Sequence, residues 1–430
     1  MPEIVETPEF KEALKLIEKR TPFIFITGRA GTGKSTFIDL LRRELTRNFA
    51  VVAPTGVAAL NVGGQTIHSF FRFPPRPVDP EKITPVRGGE IYRKLELLII
   101  DEISMVRADL LDGIDRFLRI NGRQRNKAFG GVQIVGVGDL FQLPPVVSTE
   151  EESLYINDKY ESPYFFSAEC LQQTGISTIE FTRIFRQQDR EFIDILNSIR
   201  DGSDTEYAIE RLNSSCLSGD EFIEGGVTLT CTNYLADKIN SFQLKKLEGD
   251  VREYNGTVEG DFSLRKERLP APEKLLLKPG AQVMFTKNDR DKRWVNGTLG
   301  IVEELADKWV LVRGMGLSGG VFEVERETWE SYRFTYDRES GRIISEVVGR
   351  YKQFPLMLAW AVTIHKSQGL TLDKAIIDLG RGAFAAGQTY VALSRCRRLS
   401  DITLRRPLTE RDLLCDPVIR EFYSSVISSA

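Results

Sequence analysis

Residues 28–35 have the types and spacing needed to bind a polyphosphate. They read GRAGTGKS and match the pattern G-x-x-x-x-G-K-[ST] throughout. Glycines in such a loop let backbone N–H groups surround phosphate oxygens at a helix N-terminus, which already favours anions. We expect Lys34 to reach the β- and γ-phosphates and the Ser35 hydroxyl to bind Mg²⁺. The candidate nucleotide-binding residues of this loop are Gly28, Ala30, Gly31, Thr32, Gly33, Lys34, Ser35 and Thr36.

Acidic and amide side chains follow two further apolar runs. Asp101 and Glu102 come directly after residues 97–100, and Gln142 follows residues 134–137. Ligands of α/β proteins bind beyond the carboxyl ends of parallel strands, so we expect Asp101 to hold Mg²⁺ through its water shell. Glu102 would then polarise the attacking water, and Gln142 would sense the γ-phosphate. An acidic strand end followed by a proline-rich exit turn is the structural alternative.

The second half of the chain contains no second phosphate loop, but it offers arginines. Arg186 lies in FRQ (185–187) and Arg395 lies in LSR (393–395). A hydrolysing nucleoside triphosphate needs a cation against its developing charge. One phosphate loop with arginines from the second half therefore predicts a cleft that closes on the nucleotide. The alternative for each arginine is a solvated or salt-bridged side chain.

Two sets of short apolar runs predict the elements that position these groups. The first set is residues 23–26, 50–53, 97–100 and 134–137, and the second is 227–230, 361–364, 375–377 and 402–404. Such runs, separated by helical stretches, are typical of parallel sheets covered on both faces. Residues 241–350 interrupt the second set with regularly spaced turn signals and short β-rich runs, which indicate a small antiparallel barrel. The sequence thus predicts two α/β cores, the second carrying an inserted β module.

Composition limits the possible functions. The chain has 430 residues and a net charge of −3, so any polyanion site must be a local patch. None of its five cysteines lies in a C-x-x-C pair, and only two histidines are present, which excludes a three-histidine metal site. We find no apolar signal core and no run of 18 apolar residues, so we expect a soluble intracellular protein without a membrane partner.

The motifs together resemble the PIF-type (petite integration frequency) DNA helicases, in the RecD-like branch of helicase superfamily 1. Residues 109–131 resemble the signature that distinguishes this type, and the resemblance covers about residues 22–400. Besides the phosphate loop, the matching segments are APTGVAA (53–59), TIHSF (66–70), IDEISM (100–105), GDLFQLPPV (138–146), FRQ (185–187), AVTIHKSQG (361–369) and YVALSRCR (390–397).

The resemblance implies an ATP- and Mg²⁺-dependent translocase that moves 5′-to-3′ on single-stranded DNA. It would unwind forked duplex DNA, with G-quadruplex structures as a further candidate substrate, and we expect a monomer in solution. It implies two tandem RecA-like cores, the second with an SH3-like insert: 1–183, 184–240 with 351–430, and the insert at 241–350. Family members carry an adenine-reading glutamine upstream of the loop, but residues 7–10 contain none, which leaves selectivity for ATP open.

The resemblance also implies residue roles. It assigns nucleotide contacts to Gln142, Arg186, Gly369 and Arg395. It assigns DNA contacts to eight residues, which are Pro54, Thr55, Gly56, His68, Thr232, Asn233, His365 and Ser367.

Two further segments are candidates for contact with nucleic acid. An insertion at about residues 64–80 contains FFRFPPRP (70–77), which predicts a stiff wedge that parts a duplex; alternatively the phenylalanines are core and the prolines a surface linker. In the β module, five basic and aromatic residues could add a second wall to the strand channel, or belong to a solvated insert. They are Phe285, Lys287, Lys292, Arg293 and Trp294.

Two other functions fit the same motifs. One is a DNA-stimulated ATPase that displaces proteins without unwinding, which a forked-duplex assay distinguishes. The other is a non-enzymatic DNA-binding regulator with a vestigial phosphate loop, which DNA-stimulated phosphate release distinguishes. The intact set Lys34, Ser35, Asp101, Glu102 and Gln142 argues against the regulator.

Overall fold

The computed structural model describes residues 7–74, 76–147, 149–187, 189–217, 225–262, 269–315 and 319–427, and Pro75 of the predicted wedge lies outside them. The helices are α1 (Pro8–Glu18), α2 (Lys34–Glu44), α3 (Gly56–Asn61), α4 (Ile67–Phe71), α5 (Glu90–Lys94), α6 (Ala108–Asn121), α7 (Glu150–Lys159), α8 (Glu169–Thr174), α9 (Arg190–Asp201), α10 (Thr205–Cys216), α11 (Asn233–Lys246), α12 (Gln388–Leu393) and α13 (Pro417–Ile427). The strands are β1 (Phe23–Gly28), β2 (Phe49–Ala53), β3 (Gln65–Thr66), β4 (Leu97–Ile100), β5 (Gln133–Val137), β6 (Ser177–Phe181), β7 (Val227–Thr230), β8 (Arg252–Asn255), β9 (Thr257–Gly260), β10 (Lys274–Leu277), β11 (Gln282–Phe285), β12 (Leu299–Leu305), β13 (Trp309–Gly314), β14 (Val321–Glu325), β15 (Glu327–Asp337), β16 (Arg342–Gln353), β17 (Leu356–Leu358), β18 (Ala361–Thr363), β19 (Ala375–Asp378) and β20 (Ile402–Leu404).

The first half forms a six-stranded parallel sheet in the order β3-β2-β4-β5-β1-β6. Successive strand side chains point to opposite faces, so Phe23 and Phe25 of β1 enter one apolar cluster while Ile24 and Ile26 enter another. Burial on both faces explains why these strands are continuous apolar runs. The loops after β1, β4 and β5 consequently lie along one edge of the sheet.

The second half forms a four-stranded parallel sheet in the order β18-β7-β19-β20. The predicted parallel α/β architecture is therefore confirmed. α11 packs its buried residue Asn240 against this sheet, where the side chain exchanges two hydrogen bonds with the backbone of Ala361.

Antiparallel strands lie between β7 and β18. The largest group is a five-stranded sheet in the order β14-β13-β12-β11-β17, and a long hairpin of β15 and β16 pairs with β9. The predicted boundaries differ from these elements: residue 241 falls inside α11, and residue 350 falls inside β16. α11 mixes polar and apolar residues up to its last turn, so its end carries no clear signal in the sequence.

The hairpin reaches back to the first half of the chain. The Phe334 ring packs edge-on against Phe70 at 5.9 Å, and its backbone N–H donates to the Gln65 side chain. Near the hairpin tip, the Ile343 N–H donates to the Asn48 side chain at 2.9 Å. The β-rich region is thereby attached to both halves.

The C-terminal helix α13 also returns to the first half. Phe422 stacks on Phe166 at 4.2 Å, and Tyr423 packs against Phe141 at 4.8 Å. The Tyr423 hydroxyl is hydrogen-bonded to Thr27, at the end of β1. Among the described residues, we find no helix with the length and apolarity needed to cross a membrane.

Candidate nucleotide-binding site

The phosphate-loop motif connects β1 to α2, as the sequence predicts. Gly31 and Gly33 have φ values of 81° and 88°, which side chains rarely adopt. A Cβ on Gly31 would also lie 2.5 Å from the Cβ of Arg186. Gly33 caps α2 without a side-chain hydrogen bond, and the first turn of α2 carries no acidic residue. This helix N-terminus is therefore suited to an anion.

Lys34 lies against the loop and is half-buried in the wall of the cleft. Its Nζ donates to the carbonyls of Gly28 at 2.6 Å and Arg29 at 2.9 Å, and burial lowers its pKa. Ser35 and Thr36 of the same turn are exposed, whereas Thr32 is buried and its hydroxyl donates to the Arg29 carbonyl. Within this turn, the side chains of Ser35 and Thr36 are thus more accessible to a ligand than that of Thr32.

Asp101 and Glu102 lie together just beyond β4. Burial raises the pKa of Asp101 to about 6, and burial with the neighbouring Asp101 charge raises the pKa of Glu102 to about 7. Glu102 has a φ of 50°, an uncommon backbone state for a residue with a side chain. Strained backbone of this kind persists where the surrounding structure fixes a functional side chain.

Gln142 is held between the two halves of the chain. Its Nε2 donates to Asp139 at 3.1 Å, and its Oε1 accepts from Nε2 of Gln368 at 3.3 Å. The same Gln368 nitrogen lies 3.1 Å from Glu102. Gln368 belongs to the segment after β18, so a second-half side chain reaches the carboxylate predicted to activate water.

The two predicted arginines lie on the facing side of the cleft. Arg186 donates to the carbonyls of Ser394 at 3.2 Å and Gly369 at 3.4 Å. Arg395 is 1% exposed and donates to the Val391 carbonyl at 2.7 Å, and burial with the nearby Arg186 charge lowers its pKa to about 9. An anion between two such guanidinium groups would stabilise the charge of both.

The described residues enclose one large cleft of about 1750 Å³ around these groups. It is lined by residues that include Ala30, Gly31, Thr32, Gly33, Lys34, Ser35, Thr36, Glu102, Gln142, Arg186, Gly369 and Arg395. Asp101 is outside that lining, although it lies next to Glu102. The cleft combines an uncapped helix N-terminus with cations from both halves, a donor set that fits a nucleoside triphosphate.

The oxygen ligands also fit Mg²⁺, although the protein supplies few of them. Among the described residues, no group of three His, Cys, Asp or Glu side chains is placed to hold a metal ion by itself. The hydroxyl of Ser35 and the carboxylate of Asp101 would therefore complete their coordination with phosphate and water oxygens. That is the usual arrangement for nucleotide-bound Mg²⁺.

The predicted DNA contacts are placed unevenly. His365 and Asn233 are exposed, and His68 and Pro54 are half-buried. Thr55 and Thr232 use their hydroxyls to cap α3 and α11, so each lies at a helix N-terminus. Gly56 is buried as the first residue of α3.

Ser367 is a correction to the predicted set. It is fully buried, and its hydroxyl donates to the Ile364 carbonyl at 2.8 Å. The side chain is therefore not available to a DNA strand in this arrangement. Its carbonyl accepts from Arg395 instead, so the residue lies below the surface, between the arginine and β18.

Aromatic residues predicted at the nucleic-acid surface are in the core. Phe70 and Phe71 of α4 are buried in the cluster under the first sheet, which is the structural alternative for the wedge phenylalanines. Phe285 and Trp294 are buried and stack at 4.4 Å, so the prediction that these two rings line the strand channel is wrong. They belong to the apolar core that packs against the five-stranded sheet.

The basic residues of the same region are accessible, but two of them are paired. Lys287 donates to Glu327 at 2.9 Å and Arg293 donates to Asp289 at 2.7 Å. Lys292 is exposed with a φ of 60°. A strand bound here would compete with two existing ion pairs.

Comparison with known proteins identifies the family. A family model described as "PIF1-like helicase" matches residues 7–209. The ATP-dependent DNA helicase Pif1 of Bdellovibrio bacteriovorus is 35% identical over 98% of this chain and 92% of its own length. The chain belongs to the PIF1-like helicase family. The predicted resemblance is thus confirmed.

The other relatives of this PIF1-like helicase differ in length. The human helicase PIF1 is 34% identical, and the chain spans 61% of its length; the chain spans 65% of the Emericella nidulans relative. The crystal structure of Bacteroides sp Pif1 in complex with ADP-AlF4 has a TM-score of 0.90 at 37% identity, covering 100% of this chain and 98% of that one. Bacteroides Pif1 bound to ssDNA has a TM-score of 0.71, at 38% identity and 99% and 98% coverage.

Several site residues of this PIF1-like helicase were missed by sequence reasoning. Gln368 lies inside the motif AVTIHKSQG, so its position in that motif was the available signal. Asp139 and Tyr390 also lie inside matched motifs, and the Tyr390 hydroxyl accepts from the Ala30 N–H at 3.2 Å. Arg200 lies in no matched motif, and only the folded structure brings it to Asp139.

Proposed function

We propose that this chain is an ATP-dependent DNA helicase that translocates 5′-to-3′ on single-stranded DNA and unwinds forked duplex DNA. One observation carries the proposal. The phosphate loop and Glu102 of the first half face Arg186, Arg395 and Gln368 of the second half across a single cleft. A nucleotide bound there would contact both halves, so its hydrolysis would change how they sit against each other.

In this proposal the two halves are tandem RecA-like cores, and the antiparallel strands between them form an SH3-like insert. The parallel strand order of both sheets and the likeness to Bacteroides Pif1 support it. The first core covers residues 1–183, with α13 packed onto it. The second was predicted at residues 184–240 and 351–430. We now propose that its inner edges lie at the end of α11 and at the start of β17.

The site residues then have distinct roles. Lys34 and the N–H groups of the loop bind the phosphates. Ser35 and Asp101 would hold Mg²⁺, which when bound would neutralise charge on the phosphate oxygens. Glu102 accepts a proton from the attacking water, and Gln142 orients that water. Arg186 and Arg395 stabilise the negative charge that develops on the transferred phosphoryl group, after Arg395 turns from the backbone carbonyls it now contacts.

The single strand is proposed to pass over the N-termini of α3 and α11. Thr55 and Thr232 place backbone N–H groups there, and His68, Asn233 and His365 add polar side chains, a combination suited to phosphates. Related structures contain Bacteroides Pif1 bound to ssDNA and two coordinating Pif1 helicases at forked dsDNA. We propose the same ligands here, with a monomer in solution and G-quadruplex DNA as a further candidate.

Two assays test the proposal. Phosphate release from ATP should rise strongly when single-stranded DNA is added, which a non-enzymatic regulator would not show. A forked duplex, which has a 5′ single-stranded tail, should be separated. A duplex with only a 3′ tail should not. Phosphate release without strand separation would instead indicate a translocase that displaces proteins.

Arg186 and Arg395 should act on the bound triphosphate. Changing either to glutamine is expected to lower kcat by about 10²-fold or more, because the transition-state charge loses a cation. Single-strand affinity, measured without nucleotide, should change much less. If strand affinity collapses while DNA-saturated turnover persists, these arginines belong to the DNA path.

The basic residues of the insert provide a separate test. Neutralising Lys287, Lys292 and Arg293 together should weaken single-strand binding, and each lost phosphate contact should flatten the slope of log K against log salt by about 0.7. ATPase activity without DNA should be unaffected. An unchanged affinity and slope would mean that these residues only form the ion pairs seen in the structure.

A further inference from the structure

A buried arginine that does not line the cleft joins three parts of the chain. Arg200 lies near the end of α9 and is 7% exposed. Its Nη2 lies 3.5 Å from Asp139 and 3.5 Å from Glu180, both in the first half. Its guanidinium group also covers the rings of Phe141 at 4.5 Å and Tyr423 at 5.5 Å. Arg200 therefore connects the second half to the first sheet and to α13.

The partner of Arg200 is the carboxylate that orients the catalytic amide. Asp139 is 1% exposed and accepts from Gln142 at 3.1 Å and from the Tyr390 hydroxyl at 3.5 Å. Gln142 in turn accepts from Gln368, which also donates to Glu102. Both ends of the Gln142 amide are thus held by hydrogen bonds, the nitrogen by Asp139 and the oxygen by Gln368.

We propose that Arg200 is a positioning residue for ATP hydrolysis, acting through Asp139 to hold Gln142 and, through Gln368, Glu102. This inference rests on the function proposed above. The buried carboxylate of Asp139 and the partly buried carboxylate of Glu180 share the cation of Arg200. Removal of that cation would leave Asp139 to rotate or take up a proton, and either change releases the Gln142 amide.

The position of Arg200 also links this orientation to the relation between the halves. The Arg200–Asp139 pair exists only while α9 lies against the loop after β5. In this proposal, separating α9 from that loop would remove the cation from Asp139 and so loosen the hold of Asp139 on Gln142. The position of a second-half helix, α9, thus affects the water-orienting Gln142 of the first half through Asp139.

The kinetic test uses two substitutions in the full chain. Arg200→Gln is expected to lower kcat for DNA-stimulated hydrolysis about 10²-fold, since small misplacements of reacting groups have effects of that size. KM for ATP should change by about twofold or less, because the phosphate loop is untouched. Arg200→Lys keeps a cation near Asp139 and should recover part of kcat. Arg200→Lys also keeps the buried charge, so the kinetic test can be made with this variant if Arg200→Gln does not fold.

A double-mutant cycle separates positioning from a merely structural role. If Arg200 acts through Gln142, then Arg200→Gln should cause little further loss of kcat in a Gln142→Ala background. Additive losses in the cycle would overturn the inference.

Arg107→Gln is the matched control. It breaks another ion pair with a buried carboxylate, Arg107 with Asp109 at 2.9 Å, and neither residue lines the cleft. It should lower the Tm while leaving kcat nearly unchanged, and an equal loss of kcat in this control would also count against positioning. If the unmodified chain releases no phosphate, the proposed function fails, and the inference with it. A wild-type kcat in both Arg200 variants would overturn the inference alone.

Discussion

Replacing Glu102 with glutamine is expected to leave nucleotide binding intact while turnover falls by about 10²- to 10⁴-fold. The amide keeps the size of the side chain and its contact with Gln368, but it cannot accept a proton from water. Burial and the Asp101 charge already raise the pKa of the carboxyl toward 7, so Glu102 is a stronger base than an ordinary carboxylate. Equilibrium nucleotide binding and single-turnover phosphate release would measure the two effects separately.

The matched control for this variant lies at the other end of the same strand. Glu96 precedes β4, is paired with Arg20 and accepts from the Asn48 backbone N–H. Glu96→Gln should leave kcat unchanged, with a small effect on stability. If Glu102→Gln turned over at the wild-type rate, another group would have to activate the water.

Replacing Lys34 with alanine should remove nearly all ATPase activity, by about 10²- to 10³-fold or more, because a fixed cation on the phosphates is lost. Nucleotide affinity should fall as well, unlike in Glu102→Gln, since the ammonium group contacts the phosphates in the ground state. Titration of a fluorescent ATP analogue and steady-state phosphate release give both quantities.

Single-strand affinity provides the internal control for Lys34→Ala. Measured without nucleotide, it should match the unmodified chain, because Lys34 lies inside the cleft and donates to carbonyls of the phosphate loop. A loss of strand binding would indicate that the loop itself had collapsed, and Lys34→Arg, which keeps the charge, would then be compared.

Much of the fold could be predicted because the sequences of its core strands are easy to recognise. β1, β4 and β5 are buried on both faces, so their sequences are uninterrupted apolar runs, and the loop between β1 and α2 follows a motif fixed by phosphate geometry. β3 has two residues and β6 alternates partly buried side chains, so neither gave such a signal. The predicted edges of the insert, residues 241 and 350, fall inside α11 and β16, because the exposed residues of these elements resemble those of neighbouring loops.

The candidate site could be predicted where its residues belong to recognisable motifs, which includes Arg186 and Arg395 of the second half. Lys34, Asp101 and Gln142 each stand at a fixed place after a strand, which sequence patterns record. Gln368 and Arg200 reach the site from the second half, and that contact depends on how the halves pack. Phe285 and Trp294 were assigned to the surface for the opposite reason, since aromatic residues beside lysines look alike in a core and in a binding channel.

The return of α13 to the first sheet has a consequence for how this protein is made. Tyr423 and its partner Thr27 are 396 residues apart, so a ribosome adding 5 to 20 residues per second reaches one about 20 to 80 s after the other. From the synthesis of Phe166 until that of Phe422, the apolar surface that Phe422 later covers has no partner from α13. A fragment that ends after the first core would keep this surface exposed, and we expect it to aggregate more readily than the full chain.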